Sequence, residues 1–147
     1  MEACTDGSTY EGMTSGASLV HITDDMERQE MSTGATRWKI GLADNFVAEM
    51  SAINRAIRSV PVTVLVTIYT DSLSSIQAIK KHGKVENHKN QLTNSARPYL
   101  RAIQEAIETR RRYGASTTLT HVKSHTGKRD PPSIGNAIAD RAAKQAA

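Results

Sequence analysis

The stretch VTVLVTIYTDSLSSIQAI, residues 62–79, decides the fold. Its first half is rich in β-branched residues and predicts a buried central strand from Val62 to Tyr69. The strand ends at the polar segment Thr70-Asp71-Ser72. Apolar residues then recur every third position and predict a short helix, with Leu73, Ile76 and Ile79 on one face.

Three strands and a helix are predicted before this stretch. Residues 2–6 indicate a short strand that ends at a turn, Asp6-Gly7-Ser8. Gly16 to Thr23 and part of Arg28 to Ile40 complete a meander. Asp44 or Asn45 is then suited to cap an amphipathic helix that Pro61 closes. Its apolar face consists of Phe46, Met50, Ile53 and Ile57.

A loop, two helices and a strand are predicted after it. Residues 83–96 are polar and indicate a loop, and the helix that follows ends near Gly114. Ser116 to Val122 is a strand candidate, and a last helix begins near Ser133. Strands that follow one another through short turns pair antiparallel, whereas strands reached through helices lie parallel to the first. The order therefore predicts an α/β protein with a mixed sheet and helices on its faces.

Length and composition indicate one globular domain over residues 1–147. The chain has 38% hydrophobic and 23% charged residues, which excludes a disordered protein. The single cysteine, Cys4, excludes an internal disulfide, and no apolar stretch is long enough to span a bilayer. With no leader sequence, we expect an intracellular protein, of cytoplasm or nucleus, with no membrane partner. Met1 lies so close to the first strand that the domain resembles one excised from a longer polyprotein.

The net charge of +4 conceals an asymmetric distribution. Residues 1–35 hold seven acids and one base, whereas residues 80–112 hold nine bases and three acids. Such asymmetry is typical of a protein that presents one face to a polyanion such as a nucleic acid. Solvated helix faces are the alternative explanation.

Four acidic residues are predicted to converge at one edge of the sheet. Active sites in such sheets lie at the carboxyl ends of the parallel strands, where Asp6 and Asp71 are expected. Glu49 and Asp140 each flank the apolar face of a helix. Because four carboxylates repel one another, the cluster requires cations, and oxygen ligands favour Mg²⁺ or Mn²⁺. Two such ions suit displacement at a phosphodiester.

Each acid also has an ordinary structural explanation. Asp6 before a glycine is a good turn residue, and Asp71 could cap the helix that follows it. Glu49 could lie on a helix surface. Asp140 could pair with Lys144, four residues later.

Five short segments resemble type I ribonuclease H, and most closely the ribonuclease H domains of retroelement reverse transcriptases. They occur in the order of that family: Thr5-Asp6-Gly7-Ser8, Ala48-Glu49-Met50, Tyr69-Thr70-Asp71-Ser72, Ser124-His125-Thr126-Gly127 and Gly135-Asn136-Ala137-Ile138-Ala139-Asp140. The resemblance implies a sheet of five strands in the order 3-2-1-4-5, with strand 2 antiparallel to the rest. It also implies hydrolysis of the RNA strand of RNA–DNA hybrids with two Mg²⁺ ions, for which Mn²⁺ could substitute.

The resemblance assigns roles to particular residues. It makes Asp6, Glu49, Asp71 and Asp140 the catalytic, metal-binding carboxylates, and His125 a mobile histidine for proton transfer or product release. The expected substrate-binding residues near the site are Gly7, Ser8, Thr9, Asn45 and Asn136. The expected basic surface is Lys80, Lys81 and Lys84, in a chain that lacks the basic protrusion of some bacterial members. We expect the isolated domain to be a monomer.

Two other functions stay open from the sequence. A catalytically silent module of the same fold could bind nucleic acid or scaffold a larger polymerase, although such modules typically lose one of the four acids. Another nuclease or a transposase of the superfamily would keep an acidic triad.

The chain departs from the family pattern at two places. Residues 128–132 form an insert relative to the family, and Leu73 stands where some members have a polar residue that contacts the hybrid.

Overall fold

The computed structural model describes residues 2–10, 13–21, 29–37, 45–81, 97–123 and 131–146. These contain the elements β1 (Glu2–Tyr10), β2 (Met13–His21), β3 (Gln29–Arg37), α1 (Asn45–Ser59), β4 (Val66–Thr70), α2 (Leu73–Lys81), α3 (Arg97–Arg112), β5 (Thr117–His121) and α4 (Pro131–Ala146). The predicted loop over residues 83–96 and the insert at 128–130 lie outside the described residues. The element order, and with it the α/β class, agrees with the sequence prediction.

The strands form one mixed sheet with the order β3-β2-β1-β4-β5. β2 is antiparallel to both β1 and β3, as short connections require. β4 lies parallel to β1, and β5 lies parallel to β4. The carboxyl ends of β1, β4 and β5 therefore point toward the same edge of the sheet. We call this the catalytic edge, since the predicted acids lie along it.

The first strand is longer than the sequence predicts. The expected turn at Asp6-Gly7-Ser8 is wrong, because these residues stay paired with β2 and the strand continues to Tyr10. Cross-strand pairing thus overrides the turn preference of an Asp-Gly pair. The parallel ladder between β1 and β4, however, ends at Thr5 opposite Thr70. Asp6 and Asp71 each follow the last pair of that ladder, so both still lie at the catalytic edge.

The central strand β4 is shorter than predicted. Residues 62–65 form a turn in which the Val64 N–H donates to the Pro61 carbonyl at 3.1 Å. The strand therefore starts at Val66 and not at Val62. The last helix begins at Pro131, two residues before the expected start, because proline suits the first turn of a helix.

Helices cover both faces of the sheet. Helix α1 packs across β1 and β2 and also contacts α2 and α3, whereas α4 packs across β1, β2 and β3. On the α1 face, Ala3 and Ile68 belong to the main core cluster together with buried residues of α1 and α3. On the α4 face, Ala139 and Ala143 are buried but lie outside that cluster. The sheet is thus sandwiched between a large core and a smaller one.

Arg110 connects α3 to the turn before β4. Its guanidinium donates to the carbonyls of Val60 at 2.9 Å and Pro61 at 3.1 Å, and also to that of Val64. The side chain is only 1% exposed, so these carbonyl groups, and not water, accept from its terminal N–H groups. This contact places the last turn of α3 at the edge of the sheet opposite the catalytic edge.

We predict that Arg110→Met unfolds more easily by at least about 2 kcal/mol, because three carbonyl groups, that of Val60 in a buried hydrogen bond, lose their donors. The matched control is Arg111→Met, the same substitution one residue later at an exposed position. The control should stay within about 0.5 kcal/mol of the wild type. Urea unfolding of the three proteins measures both differences, and equal stabilities for the two variants would contradict the structural role of Arg110.

Candidate active site

Three carboxylates meet at the catalytic edge. One oxygen from each of Asp6, Glu49 and Asp71 lies within 4.8 Å of the others. Asp6 comes from β1, Glu49 from the second turn of α1, and Asp71 from the residue that follows β4. Asp6 is only 3% exposed, and the Oε2 atom of Glu49 is buried with no hydrogen-bond partner among the described residues. Such an arrangement is typical of a cation site.

Gly7 allows α1 to approach close enough to bring Glu49 into this cluster. A Cβ atom at position 7 would clash with the carbonyl group of Ala48 and the backbone nitrogen of Glu49. These are backbone atoms, so no change of rotamer could make room. The Gly7 N–H also donates to Asp6 Oδ1 at 3.0 Å. The same residue thus sets the helix position and orients one of the acids.

Hydroxyl groups on either side of Asp71 fix its backbone. The Ser72 N–H donates to Thr70 Oγ1 at 3.1 Å. The Ser72 hydroxyl in turn accepts from the Ser75 N–H at 3.3 Å and lies 2.6 Å from the Ser75 hydroxyl. Ser72 therefore caps α2, and the capping role considered for Asp71 falls to its neighbour. Thr70 and Ser75 have no role among the sequence predictions, although a serine three residues before another serine is a recognisable signal of a helix start.

Asp140 lies beside the cluster but is held differently. It belongs to α4, and a hydrogen bond between its side chain and Asp6 contributes to the raised pKa of Asp6. Its Oδ2 atom also pairs with Lys144 Nζ at 3.0 Å, as the sequence spacing allowed. The structure thus brings together the four predicted acids, three within one tight group and the fourth against Asp6.

The buried acids hold protons that a cation would replace. Burial, followed by the hydrogen bond to Asp140, raises the pKa of Asp6 to about 7. Burial, followed by the hydrogen bond to Asp6, raises the pKa of Glu49 to about 10. Neighbouring negative charge, including that of Asp71, acts in the same direction on both groups. A cluster that resists full ionisation by itself, and offers only oxygen ligands, fits divalent cations such as Mg²⁺.

Cysteine chemistry plays no part here. Cys4 lies two residues before Asp6 and is 1% exposed. Burial, with a smaller contribution from Glu2, raises the pKa of its thiol to about 12. The thiol is therefore neutral and behaves as a small apolar group.

The predicted substrate-binding residues fall into three sets. Gly7, Ser8 and Thr9 lie in β1 directly after Asp6, and Asn45 is the first residue of α1. Lys80 and Lys81 are exposed at the end of α2. His125 and Lys84 lie outside the described residues.

Asn136 occupies an unexpected environment for a substrate-binding residue. It is 4% exposed, and its Nδ2 atom has no hydrogen-bond partner in the part of the chain that the structure describes. It lies four residues before Asp140, on the same side of α4. The contact of Asn136 with substrate stays a prediction.

The model of one protein family matches the whole chain. Residues 1–147 match RNase H. The chain belongs to the RNase H family. The resemblance drawn from the five sequence motifs is therefore confirmed, and with it the identification of a ribonuclease H enzyme.

Viral polyproteins are among the relatives. The chain is 29% identical to the Gag-Pol polyprotein of woolly monkey sarcoma virus and 28% identical to that of koala retrovirus, each over 151 residues. The alignments cover 97% of this chain but only 8% of each polyprotein. The RNase H chain thus corresponds to a small part of the relatives it matches.

Solved RNase H structures share the fold at low sequence identity. The prototype foamy virus protease-reverse transcriptase aligns with a TM-score of 0.75 and 18% identity, over 99% of this chain and 20% of that one. The N-terminal RNase H domain of a Mycobacterium tuberculosis protein, solved as a maltose-binding protein fusion, aligns with a TM-score of 0.68 and 20% identity, over 99% of this chain and 92% of that one. LC11-RNase H1, solved in complex with an RNA/DNA hybrid, aligns with a TM-score of 0.65 and 17% identity, over 99% of this chain and 94% of that one. The RNase H-like α/β fold is therefore confirmed.

Among the described residues, no helix is both long and apolar enough to cross a membrane.

We predict that Gly7→Ala destabilises the protein by about 1 to 3 kcal/mol, the usual cost of overpacking. The added methyl group has to push α1 away from β1, so nuclease activity should fall as well. The matched test is the double variant Gly7→Ala/Ala48→Gly. Because the clash involves backbone atoms, removal of the Ala48 methyl group should restore neither stability nor activity. Rescue by the second substitution would show that the contact is between side chains.

We predict that Asp6→Asn stabilises the metal-free protein by about 1 to 2 kcal/mol at neutral to alkaline pH, while it abolishes activity. A carboxyl group whose pKa is raised contributes stability at low pH, and this contribution is lost as the pH rises through about 7. Asparagine cannot ionise. In EDTA the variant and the wild type should therefore have the same melting temperature at low pH, and the variant should have the higher melting temperature at pH values above the raised pKa of Asp6.

Added Mg²⁺ serves as the control for this prediction. It should raise the melting temperature of the wild type by mass action and that of Asp6→Asn less. If the variant melts below the wild type in EDTA at every pH, Asp6 contributes a structural hydrogen bond and not a repulsive charge.

Proposed function

We propose that the chain hydrolyses the RNA strand of RNA–DNA hybrids in a reaction that depends on two divalent cations. The observation that carries this proposal is the group of three carboxylate oxygens within 4.8 Å at the catalytic edge. Membership of the RNase H family supports the reaction class. The similarity in fold to a ribonuclease H solved with an RNA/DNA hybrid supports the substrate.

The four acids form the cation site in this proposal. Asp6, Glu49 and Asp71 offer the inner ligands, and Asp140 approaches from α4 beside Asp6. Bound Mg²⁺ or Mn²⁺ would activate water and stabilise the leaving oxygen of the phosphodiester. The acids have to lose their protons to bind, so cation affinity should rise with pH.

Polar groups near the cluster select the substrate. An RNA–DNA hybrid differs from DNA in the 2′-hydroxyls along one strand, which a protein can read across the minor groove. Gly7, whose open side is filled by α1, lies beside Asp6, and Ser8, Thr9 and Asn45 are the nearby polar residues of β1 and α1. Asn136 lies one helical turn from Asp140. Lys80, Lys81 and Lys84 would hold phosphate groups, which gives affinity without sequence preference.

His125 would assist proton transfer or product release. Its family motif follows β5, whose last residue, His121, pairs with Thr70 at the catalytic edge. The ordinary pKa of histidine, near neutrality, suits His125 to exchange protons with substrate or product.

We also propose that the domain acts as part of a longer reverse-transcriptase polyprotein. The viral relatives support this, since the matched region is 8% of their length. As an isolated domain it should be a monomer.

The decisive experiment is cleavage of end-labelled RNA in a hybrid, in duplex RNA and as a single strand, each with and without Mg²⁺. The proposal expects cleavage only of the hybrid and only with metal. Hybrid binding without cleavage under every condition would indicate a silent module of the same fold. Cleavage of all three RNAs would indicate a different nuclease specificity.

We predict that Asp71→Asn lowers hybrid cleavage by at least about 100-fold and leaves hybrid affinity nearly unchanged. The carboxylate binds cations, whereas phosphate contacts come from other residues. The matched control is Glu2→Gln, which removes an exposed carboxylate at the opposite end of β1 and should cleave like the wild type. Single-turnover cleavage and fluorescence-anisotropy binding measure the two effects. A loss of affinity as large as the loss of cleavage would contradict this division of roles.

A further inference from the structure

We infer that Arg97 and Arg101 of α3 join Lys80 and Lys81 of α2 in a single basic strip that binds the phosphate backbone of the hybrid. This inference rests on the proposed function and extends the substrate contact to a second helix. The sequence predicts Lys80, Lys81 and Lys84 as the basic surface, and its most basic run, Arg110 to Arg112, lies at the end of α3. The structure favours a different pair of arginines.

One hydrogen bond joins the two helices that carry the strip. Gln104 Nε2 on α3 donates to the carbonyl of Ile79, in the last turn of α2, at 3.1 Å. Residues three and seven positions before Gln104 lie on the same side of α3, and these are Arg101 and Arg97. The side of α3 that contacts the end of α2 therefore carries both arginines.

The four basic side chains are available to a ligand. Lys80, Lys81, Arg97 and Arg101 are all exposed. Within the described residues, none of the four forms a salt bridge. Glu105 lies four residues after Arg101 on α3 but forms no salt bridge with it, so the four charges stay available to a ligand.

The arginines at the other end of α3 are occupied. Arg110 is buried against the carbonyls of the turn before β4. Arg111 pairs with Glu108 at 2.6 Å, and Arg112 reaches the same carboxylate at 3.6 Å. Arg110 is therefore directed into the protein, whereas Arg111 and Arg112 share one carboxylate, which offsets one of their two charges.

The orientation of α3 places the strip on the catalytic side. Arg110 fixes the last turn of α3 at the edge opposite the acids, and β5 starts there beside Val66. A helix of 16 residues is about 24 Å long, so its first turn, with Arg97, extends toward the catalytic edge. Helix α2 starts at that edge directly after Asp71. Both helices therefore extend away from the acids, in a direction that a duplex bound at the acids could follow.

A phosphate backbone is the ligand that this surface fits. The strip is positive, exposed and free of large apolar residues, so charge is what it can recognise. Arginine forms paired hydrogen bonds with phosphate oxygens, and such contacts do not depend on base sequence. An acidic protein surface is the competing ligand, and it would leave hybrid binding unaffected by the arginines.

The test measures hybrid affinity against salt in the Asp71→Asn background, which prevents cleavage. The strip variant is Arg97→Ala/Arg101→Ala, and the matched control is Arg111→Ala/Arg112→Ala on the same helix. Each lost phosphate contact should reduce the log–log salt slope by about 0.7 to 0.9, or about 1.4 to 1.8 for the strip variant. The control should keep the slope of the parent. Equal salt slopes for the strip variant and its parent would overturn the inference. An equal reduction of the slope in the strip variant and in the Arg111→Ala/Arg112→Ala control would overturn it as well.

Two further measurements separate the possible causes of failure. Arg97→Lys/Arg101→Lys keeps the charge and should retain most of the slope, whereas a purely structural role of the arginines would not be rescued by lysine. Cleavage of hybrid by the chain without substitutions tests the proposed function independently. Hybrid cleavage with an unaffected salt slope overturns the strip alone, while absence of cleavage overturns the proposed function.

Discussion

The site depends on the close contact between α1 and β1 at Gly7. Only a residue without a side chain lets the backbone of Ala48 and Glu49 lie directly on the strand. The contact brings a helix carboxylate against a strand carboxylate, and the main core behind it holds α1 in place through residues such as Met50 and Ile53. The position of Asp71 beside Asp6 then follows from the parallel ladder that ends at Thr5 and Thr70.

This packing places like charges where water cannot separate them. Burial of Asp6 and Glu49 raises the pKa of both groups, so the fold is under electrostatic repulsion whenever they ionise without a cation. The rest of the molecule tolerates this because its stability comes from elsewhere. The core between the sheet and helices α1 and α3, together with the buried hydrogen bonds of Arg110, lies away from the catalytic edge. Stability and chemistry are thus located at different ends of the same strands.

The sequence predicted the acids better than it predicted their surroundings. Spacing along α1 put Glu49 at the margin of the apolar face, and Asp71 follows the strand as expected. The turn predicted at Asp6 was wrong because an Asp-Gly pair occurs both in hairpin turns and in paired strands that a helix approaches closely, and the local sequence looks the same in both. Only the pairing with β2 distinguishes the two cases.

The run of three arginines shows what periodicity reveals and what it leaves open. Position 110 continues the apolar series Leu100, Ile103 and Ile107 at helical spacing, so its burial was readable from the sequence. That its partners would be three carbonyls of a distant turn was not, because those contacts span about fifty positions of the chain. Contacts between residues far apart in sequence depend on tertiary packing, which local patterns do not encode.

Asp140 gives the acidic cluster an asymmetry that matters for cation binding. Asp6 and Glu49 are buried, whereas Asp71 is half-buried and the side chain of Asp140 is 25% exposed and pairs with Lys144. An exposed pair of this kind contributes only about 0 to 1 kcal/mol to stability. A divalent cation can therefore displace the Lys144 ammonium group at little cost, since it brings a larger charge to the same carboxylate. In the proposed function, the buried pair Asp6 and Glu49 would form the part of the site that needs a cation, and Asp140 would be a more solvent-facing ligand at which a cation could first arrive.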